Sequence, residues 1–247
     1  MSQEHPVLSE LPNWVSFLAQ HINEPASQFL HRFENVIFSW VVLGIIFLFA
    51  YLSSRNMKWV PHRWQNAMEV FVLGVDDFVC GIMGTQGKRY TPFIGTLFLY
   101  ILGMNLLGLI PFMKSPTSSW STTMALAICV FIYVQYTAFK TLGFIGYFDH
   151  LCGKPRGFLA LSLVFPLLML LLHLTTELIR PLTLSLRLRS NVWGDDLLLA
   201  RLMEFGIAGL PLLFFGMMLT IMASVVQAVI FSVLTTIYFA IVLVREE

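Results

Sequence analysis

The segment from Phe205 to Val244 runs for forty residues without one formal charge. As a straight α-helix it is about 60 Å long, roughly twice the hydrocarbon thickness of a bilayer. Two spans joined by a turn, or one strongly tilted helix, both fit that length, and the sequence does not choose between them. The whole chain agrees with a membrane location, because 57% of its residues are hydrophobic and 12% are charged. Soluble domains carry about twice that share of charge.

Further apolar runs complete the pattern of an all-α polytopic membrane protein with about five transmembrane helices. We expect an acidic, extracytoplasmic N-terminal segment over residues 1–35 and a single membrane domain over residues 36–247. A run of about 20 apolar residues is long enough to cross a bilayer as a helix. The predicted spans are about residues 36–54, 92–113, 122–148, 158–192 and 205–244.

An amphipathic helix is predicted at about residues 61–83, between the first two spans. Apolar side chains recur there every three or four residues, which is the spacing of one helix face; they are Trp64, Met68, Phe71, Val75, Phe78 and Ile82. This helix either lies on the cytoplasmic membrane interface or packs on a neighbouring subunit.

The distribution of basic residues predicts the orientation, because cytoplasmic loops carry an excess of Lys and Arg. With five spans, only Arg32, Lys114 and Arg201 fall on one side. The other side receives nine: Arg55, Lys58, Arg63, Lys88, Arg89, Lys140, Lys154, Arg156 and Arg245. We therefore expect the C-terminus in the cytoplasm and the N-terminus outside.

Several polar and ionisable side chains continue the fourth apolar run, although each charge costs about 2.5–3.5 kcal/mol at the centre of a membrane helix. At 100° per residue, one narrow helix face collects His173, Glu177, Arg180, Arg187 and Asn191. Arg189 points well away from that face. Glu177 and Arg180 are three residues apart and can form an intrahelical ion pair. This leaves Arg187 without an acidic neighbour one turn away, since Asp195 and Asp196 are expected beyond the helix end.

An unpaired arginine in a membrane helix suits one task well. Its guanidinium is always protonated, so it blocks the leakage of cations past it. It also favours the ionised form of any carboxylate that comes within about 4–6 Å. The chain offers no membrane acid clearly placed to meet Arg187. The sequence therefore predicts that the acid belongs to another subunit.

Four segments carry a resemblance to a known family, and they follow one another along the chain in the family's order. They are Arg180-Pro-Leu-Thr-Leu-Ser-Leu-Arg187-Leu-Arg189-Ser-Asn191, Pro92-Phe-Ile-Gly-Thr-Leu-Phe-Leu-Tyr with Asn105-Leu-Leu-Gly-Leu-Ile-Pro111, Ser115-Pro-Thr with Thr122-Thr-Met-Ala-Leu-Ala, and Gln227-Ala-Val-Ile-Phe-Ser-Val-Leu-Thr. Over roughly residues 60–245 the chain resembles subunit a of the bacterial F-type rotary ATP synthases.

The resemblance implies roles for individual residues. Arg187 matches the family's essential arginine, which faces the acid of the c-ring, and Gln227 matches its partner on the last helix. Asn191 and Asp196 match the family's asparagine and the acid of its outer half-channel, and Asn105 lies in the motif of the second membrane helix. The family's last two long helices form a tilted hairpin against the c-ring.

The chain also departs from the family pattern. Arg189 and Ser190 stand where an aromatic residue and a glycine are usual, Thr220 stands where some relatives have histidine, and Asp195 adds a second carboxylate. On the cytoplasmic side the chain offers Glu177 and His173. His173 is either a relay group or a core histidine bonded to a backbone carbonyl.

The resemblance implies a proton-translocating stator subunit of the bacterial inner membrane that is not an enzyme alone. Its expected partners are the c-ring, b-type peripheral stalk subunits, membrane lipid and, indirectly, the F1 sector. No cofactor, metal or nucleic acid is expected: no P-loop is present, three scattered cysteines make no zinc motif, and the net charge is +1. The alternatives are the same subunit in a sodium-driven enzyme and a stand-alone secondary transporter, which often shows an internal repeat. An intramembrane hydrolase fits less well, because the chain lacks the HExxH pair of a zinc site.

Overall fold

The computed structural model describes residues 24–55, 62–110, 113, 115–151, 161–203 and 205–243. The basic residues Lys58, Lys114, Lys154, Arg156 and Arg245, used above for orientation, lie outside these residues. Within the described ranges the chain is helical, without a strand. The helices are α1 (Glu24–Ser54), α2 (Arg63–Met83), α3 (Thr91–Leu107), α4 (Trp120–Leu151), α5 (Leu161–Met203) and α6 (Leu210–Leu243).

The long apolar run forms one helix rather than two spans. α6 has 34 residues and is therefore about 50 Å long. A turn precedes it: Gly206 has a φ of 60° and opens a short 3-10 turn, Gly206–Gly209. Pro211 is the second residue of α6, where the backbone N–H has no intrahelical acceptor and proline is tolerated. The sequence alternative of a single long helix is thus the one observed.

α5 extends further than predicted. It has 43 residues and continues to Met203, so the expectation that Asp195 and Asp196 lie beyond the helix end is wrong. The cause is packing on α6, because Leu199 is buried and the last turns of α5 lie against Gly216. A Cβ atom at Gly216 would be 2.9 Å from Leu202 Cδ1, so a larger residue there would require the leucine side chain to move.

α5 and α6 form an antiparallel hairpin with a constant register. Leu202 lies against Gly216, Asn191 bonds to Gln227, and Arg180 lies over Tyr238. Eleven residues separate successive contacts on each helix, and eleven residues are about three helical turns. The predicted pairing of the last two long helices is therefore present over most of their length.

The core of the fold lies where α3, α4 and α6 meet. Its centre is an aromatic cluster of Tyr90, Phe93, Tyr133 and Phe239. The ring centroids of Tyr90 and Phe239 are 4.8 Å apart and those of Phe93 and Tyr133 are 4.6 Å apart, within the range of favourable ring contacts. Phe239 is fully buried. This cluster holds α6 against the first half of the chain.

The predicted spans correspond to α1, α3, α4, α5 and α6. Within the described residues, three helical segments are long and apolar enough to cross a membrane, Phe33–Ser54, Trp120–Thr141 and Leu210–Val242, and Thr91–Leu107 is a shorter apolar helix. α4 kinks at Gly143, whose φ is 67°, so the span predicted over residues 122–148 is not one straight helix. The fold is that of an all-α polytopic membrane protein.

The predicted amphipathic helix is α2, and its apolar stripe is covered in part by the same chain. Phe71 contacts the ring of Phe98 with centroids 5.8 Å apart, and Val75 packs where Gly95 leaves room on α3. Trp64 meets Phe49 of α1 edge-on at 5.7 Å but stays 60% exposed. The stripe is therefore partly covered by the same chain, and part of it stays exposed.

Candidate functional site

The hairpin is joined at its middle by a bond between two amides. Asn191 Nδ2 on α5 donates to Gln227 Oε1 on α6 at 2.6 Å. Gln227 is only 2% exposed, and its Nε2 has no hydrogen-bond acceptor in the described part of the chain. A buried donor without an acceptor is costly, so Gln227 keeps a free bonding position beside the Asn191 contact. Both residues were predicted site residues, and the structure brings them together.

Arg187 lies one helical turn before Asn191, at the edge of the buried face of α5. Its neighbours Leu184 and Leu188 are buried against the rest of the protein, whereas the Arg187 side chain is exposed. No described residue forms an ion pair or hydrogen bond with its guanidinium. A permanently charged group is therefore presented on the outer flank of the hairpin, next to the amide pair.

Glu177 and Arg180 lie one layer further along α5 and take separate partners. Gln135 Nε2 on α4 donates to Glu177 Oε2 at 2.8 Å, and the Arg180 guanidinium lies 4.9 Å from the ring centroid of Tyr238 on α6. Among the contacts of the described residues, no ion pair joins Glu177 to Arg180, so the predicted intrahelical pair is not observed. Neighbouring helices on the two sides of α5 supply better-placed partners than the helix itself does.

His173 lies one turn before Glu177 on the same face of α5. Its Nδ1 is 3.0 Å from the backbone oxygen of Met169, a contact within its own helix. This is the backbone-bonded arrangement considered from the sequence. Its relay role stays a prediction.

The end of the hairpin next to the turn between α5 and α6 holds the two aspartates. Asp195 and Asp196 lie on α5 one turn past Asn191 and are half-buried. Thr220 on α6, which replaces a histidine of some relatives, is buried and donates its hydroxyl to the Gly216 carbonyl at 3.1 Å. That hydroxyl is therefore used within its own helix.

Arg189 points to the opposite flank of α5 from Arg187, as its position on the helix predicts. Its Nε donates to the Ser118 carbonyl at 3.4 Å, and its guanidinium lies 5.4 Å from the Trp120 ring centroid. It thus packs on the loop and first residue of α4. Two arginines that are two residues apart have different surroundings.

Asn105 belongs to a separate buried network. Its Oδ1 accepts from Thr117 Oγ1 at 2.8 Å, and Ser115 Oγ bonds to Thr117 Oγ1 at 2.7 Å and donates to the Met104 carbonyl at 3.0 Å. These bonds fasten α3 to the loop before α4, so the supporting role predicted for Asn105 takes the form of a loop anchor.

Two residues of the site were missed from the sequence, Gln135 and Tyr238. A signal for Gln135 was present, because it is the only amide in the apolar stretch of residues 125–139 and amide side chains can form hydrogen bonds between membrane helices. Tyr238 carried no comparable signal. Among the described residues, no group of three His, Cys, Asp or Glu side chains is placed to hold a metal ion.

The chain is similar in sequence to known proteins. The sequence model of the ATP synthase A chain family matches residues 36–240. ATP synthase subunit a of Protochlamydia amoebophila is 39% identical over 249 residues, covering 97% of this chain and 91% of the relative. ATP synthase subunit a of Oleidesulfovibrio alaskensis is 36% identical over 236 residues, covering 95% and 94%, and ATP synthase subunit a 1 of Pelobacter propionicus is 37% identical over 205 residues, covering 83% and 85%.

The family match spans the five predicted membrane helices and contains every residue of the site described above. The relatives match along almost their whole length, so the likeness is not limited to one motif. The chain belongs to the ATP synthase A chain family and is a proton-translocating subunit of the membrane sector of an ATP synthase.

Proposed function

We propose that the chain provides two proton half-channels to the carboxylates of a c-ring and that Arg187 separates them. The observation that carries this proposal is the position of Arg187. Its charge is exposed on the flank of the hairpin, lacks an acidic partner among the described residues, and lies one helical turn from Asn191, which bonds to the buried Gln227. A fixed charge of this kind is suited to an acid that moves past it on another subunit.

The attraction between Arg187 and a ring carboxylate is strong enough to favour loss of the carboxyl proton. At 4 Å and an effective dielectric constant of about 20, opposite unit charges attract by about 4 kcal/mol, which is worth about three pH units. A protonated carboxyl of the ring that reaches Arg187 is thereby driven to release its proton. The same charge repels a free cation, so the direct path between the two half-channels is closed.

The two paths lie on opposite sides of Arg187 along α5. Glu177 is ten residues before it, about 15 Å along the axis, and Asp196 is nine residues after it, about 14 Å. Both distances exceed the reach of a hydrogen bond. We assign Asp195 and Asp196 to the outer path, and Glu177 with His173 to the cytoplasmic path, since the basic loops orient the C-terminus of α6 toward the cytoplasm.

In this arrangement a proton enters through the outer path, travels on the ring for almost a full turn, and leaves beside Glu177. Each elementary charge that crosses gains about 2.3 kcal/mol per 100 mV of membrane potential. That energy turns the ring only if the short path at Arg187 stays closed. The protein acts in the bacterial inner membrane with b-type stalk subunits and, through them, with the F1 sector; the chain itself needs no cofactor.

Cysteine cross-linking to the ring tests which flank of α5 faces it. Thr183 lies one turn before Arg187 and about 40° from it around the helix, whereas the adjacent Leu182 lies about 140° away; both side chains are exposed. A cysteine at Thr183 should form a disulfide with a cysteine beside the ring carboxylate. The matched control at Leu182 should not. A disulfide from Leu182 alone would place the ring on the other flank and remove Arg187 from the mechanism.

A further inference from the structure

A small cavity lies between α4, α5 and α6, beside Glu177. Its volume is about 20 Å³, and its polar lining consists of Gln135, Glu177, Arg180 and Tyr238. A cavity of more than about 10–15 Å³ holds one water molecule when two to four polar groups surround it. We propose that this cavity holds a water that takes protons from Glu177, and that Gln135 is the positioning residue that keeps the carboxylate directed to it. This inference rests on the proposed function and adds a water and a positioning residue to its cytoplasmic path.

Gln135 is suited to hold a carboxylate in one place. Its Nε2 donates to Glu177 Oε2 at 2.8 Å from a different helix, so the bond ties the acid to α4. An amide does not titrate at physiological pH, and its donor is therefore present in both protonation states of its partner. It is also the only amide, acid or base among residues 125–139 of α4, where a lone polar group is expensive unless it is bonded.

The named polar groups around Glu177 come from three helices. Arg180 contributes a permanent positive charge to the cavity wall and is held over the ring of Tyr238 at 4.9 Å. On α5 the other titratable neighbour is His173, one turn before; α6 contributes the Tyr238 phenol, and α4 contributes the neutral Gln135. Among these named groups, Arg180 is the one that carries a permanent charge.

The proposed step conserves water and carboxylate. A proton that reaches Glu177 is held as a carboxylic acid. The carboxyl group passes this proton to the water in the cavity while the water passes one of its own protons on toward the cytoplasm. The carboxylate then returns to its hydrogen bond with Gln135, ready for the next proton.

The test is the pH dependence of proton flux in membrane vesicles that contain the assembled ATP synthase. Gln135→Leu removes the donor at nearly constant volume. Because hydrogen bonds to charged groups change an equilibrium about tenfold, the pH of half-maximal proton release should move upward by about one pH unit, with a severalfold lower flux at neutral pH. Tyr136→Leu, an exposed neighbour on α4, is the control and should keep the wild-type profile. Glu177→Gln should lower flux at every pH.

A wild-type profile in Gln135→Leu, or an equal loss at every pH, would overturn the inference, since a merely structural role scales the flux without moving the profile. If Gln135→Leu prevents assembly, Gln135→Met gives the same comparison with a more flexible side chain. Arg187→Ala in the same vesicles separates this inference from the proposed function. If the Arg187→Ala complex stays coupled, the proposed function fails. If Arg187→Ala is uncoupled but the pH profile of Gln135→Leu is unshifted, only the water path is refuted.

Discussion

The bond between Asn191 and Gln227 predicts an asymmetric response to mutation. Asn191→Leu leaves both polar atoms of Gln227 without a partner, and Gln227 is only 2% exposed. The expected loss in the free energy of unfolding is about 1–3 kcal/mol, the cost of unsatisfied buried groups. Gln227→Leu instead removes the buried Nε2 that already lacks an acceptor, and it leaves behind Asn191, which is exposed. We expect Gln227→Leu to cost about 1 kcal/mol or less.

The assay is SDS-induced unfolding of the purified chain in mixed micelles, carried out as a double-mutant cycle. The double variant should be less destabilised than the sum of the single variants, with a coupling energy of about 0.6–1.7 kcal/mol, the range found for bonds between membrane helices. Additive effects would show that the 2.6 Å contact does not stabilise the hairpin. A larger loss from Gln227→Leu than from Asn191→Leu would refute the burial argument.

Three further predictions follow from other contacts. Arg189→Phe should keep substantial ATP-driven pumping, because Arg189 contacts the loop before α4; complete loss of pumping would contradict this. A cysteine at the exposed Ser121 should react with impermeant maleimide from outside, and one at Lys154 only from the cytoplasm; the reverse pattern would invert the topology. Gly216→Leu should destabilise the chain by about 1–3 kcal/mol through overpacking. The control Gly44→Leu, at a site with open space, should change stability by less than about 0.5 kcal/mol. Equal effects of the two substitutions would contradict the contact between α5 and α6 at Gly216.

The forty-residue apolar run shows where sequence reasoning ends. Hydropathy identified the segment as membrane helix, but its length fits two architectures and its glycines can act either as breakers or as packing sites. In the structure Gly206 lies in the turn before α6, whereas Gly216 packs against leucine side chains of α5. The role of Gly216 depends on its contact with Leu202 of α5. The sequence does not show that contact, because only the tertiary structure brings Leu202 and Gly216 together.

The site shows the same division between local and tertiary information. The 100° spacing predicted that Arg187 and Arg189 face different ways, because helix geometry alone decides it. The separation of three residues predicted an ion pair between Glu177 and Arg180. This pair is not observed, because Gln135 and Tyr238 approach the two side chains from other helices. Similarly, α5 continues past the end that the sequence predicts, because its last turns pack on α6.

Proton flux and ATP synthesis measured together in vesicles that carry Arg187→Ala test the central claim most directly. The complex should assemble and coupled synthesis should stop, while passive proton flux through the membrane sector persists or rises, because a neutral side chain neither repels a cation nor forces a passing carboxylate to ionise. Arg187→Lys should restore synthesis poorly, since lysine lacks the planar fork and can lose its proton when buried. Arg189→Ala, two residues away on the opposite flank, should stay coupled. Normal coupled synthesis in Arg187→Ala would contradict the account.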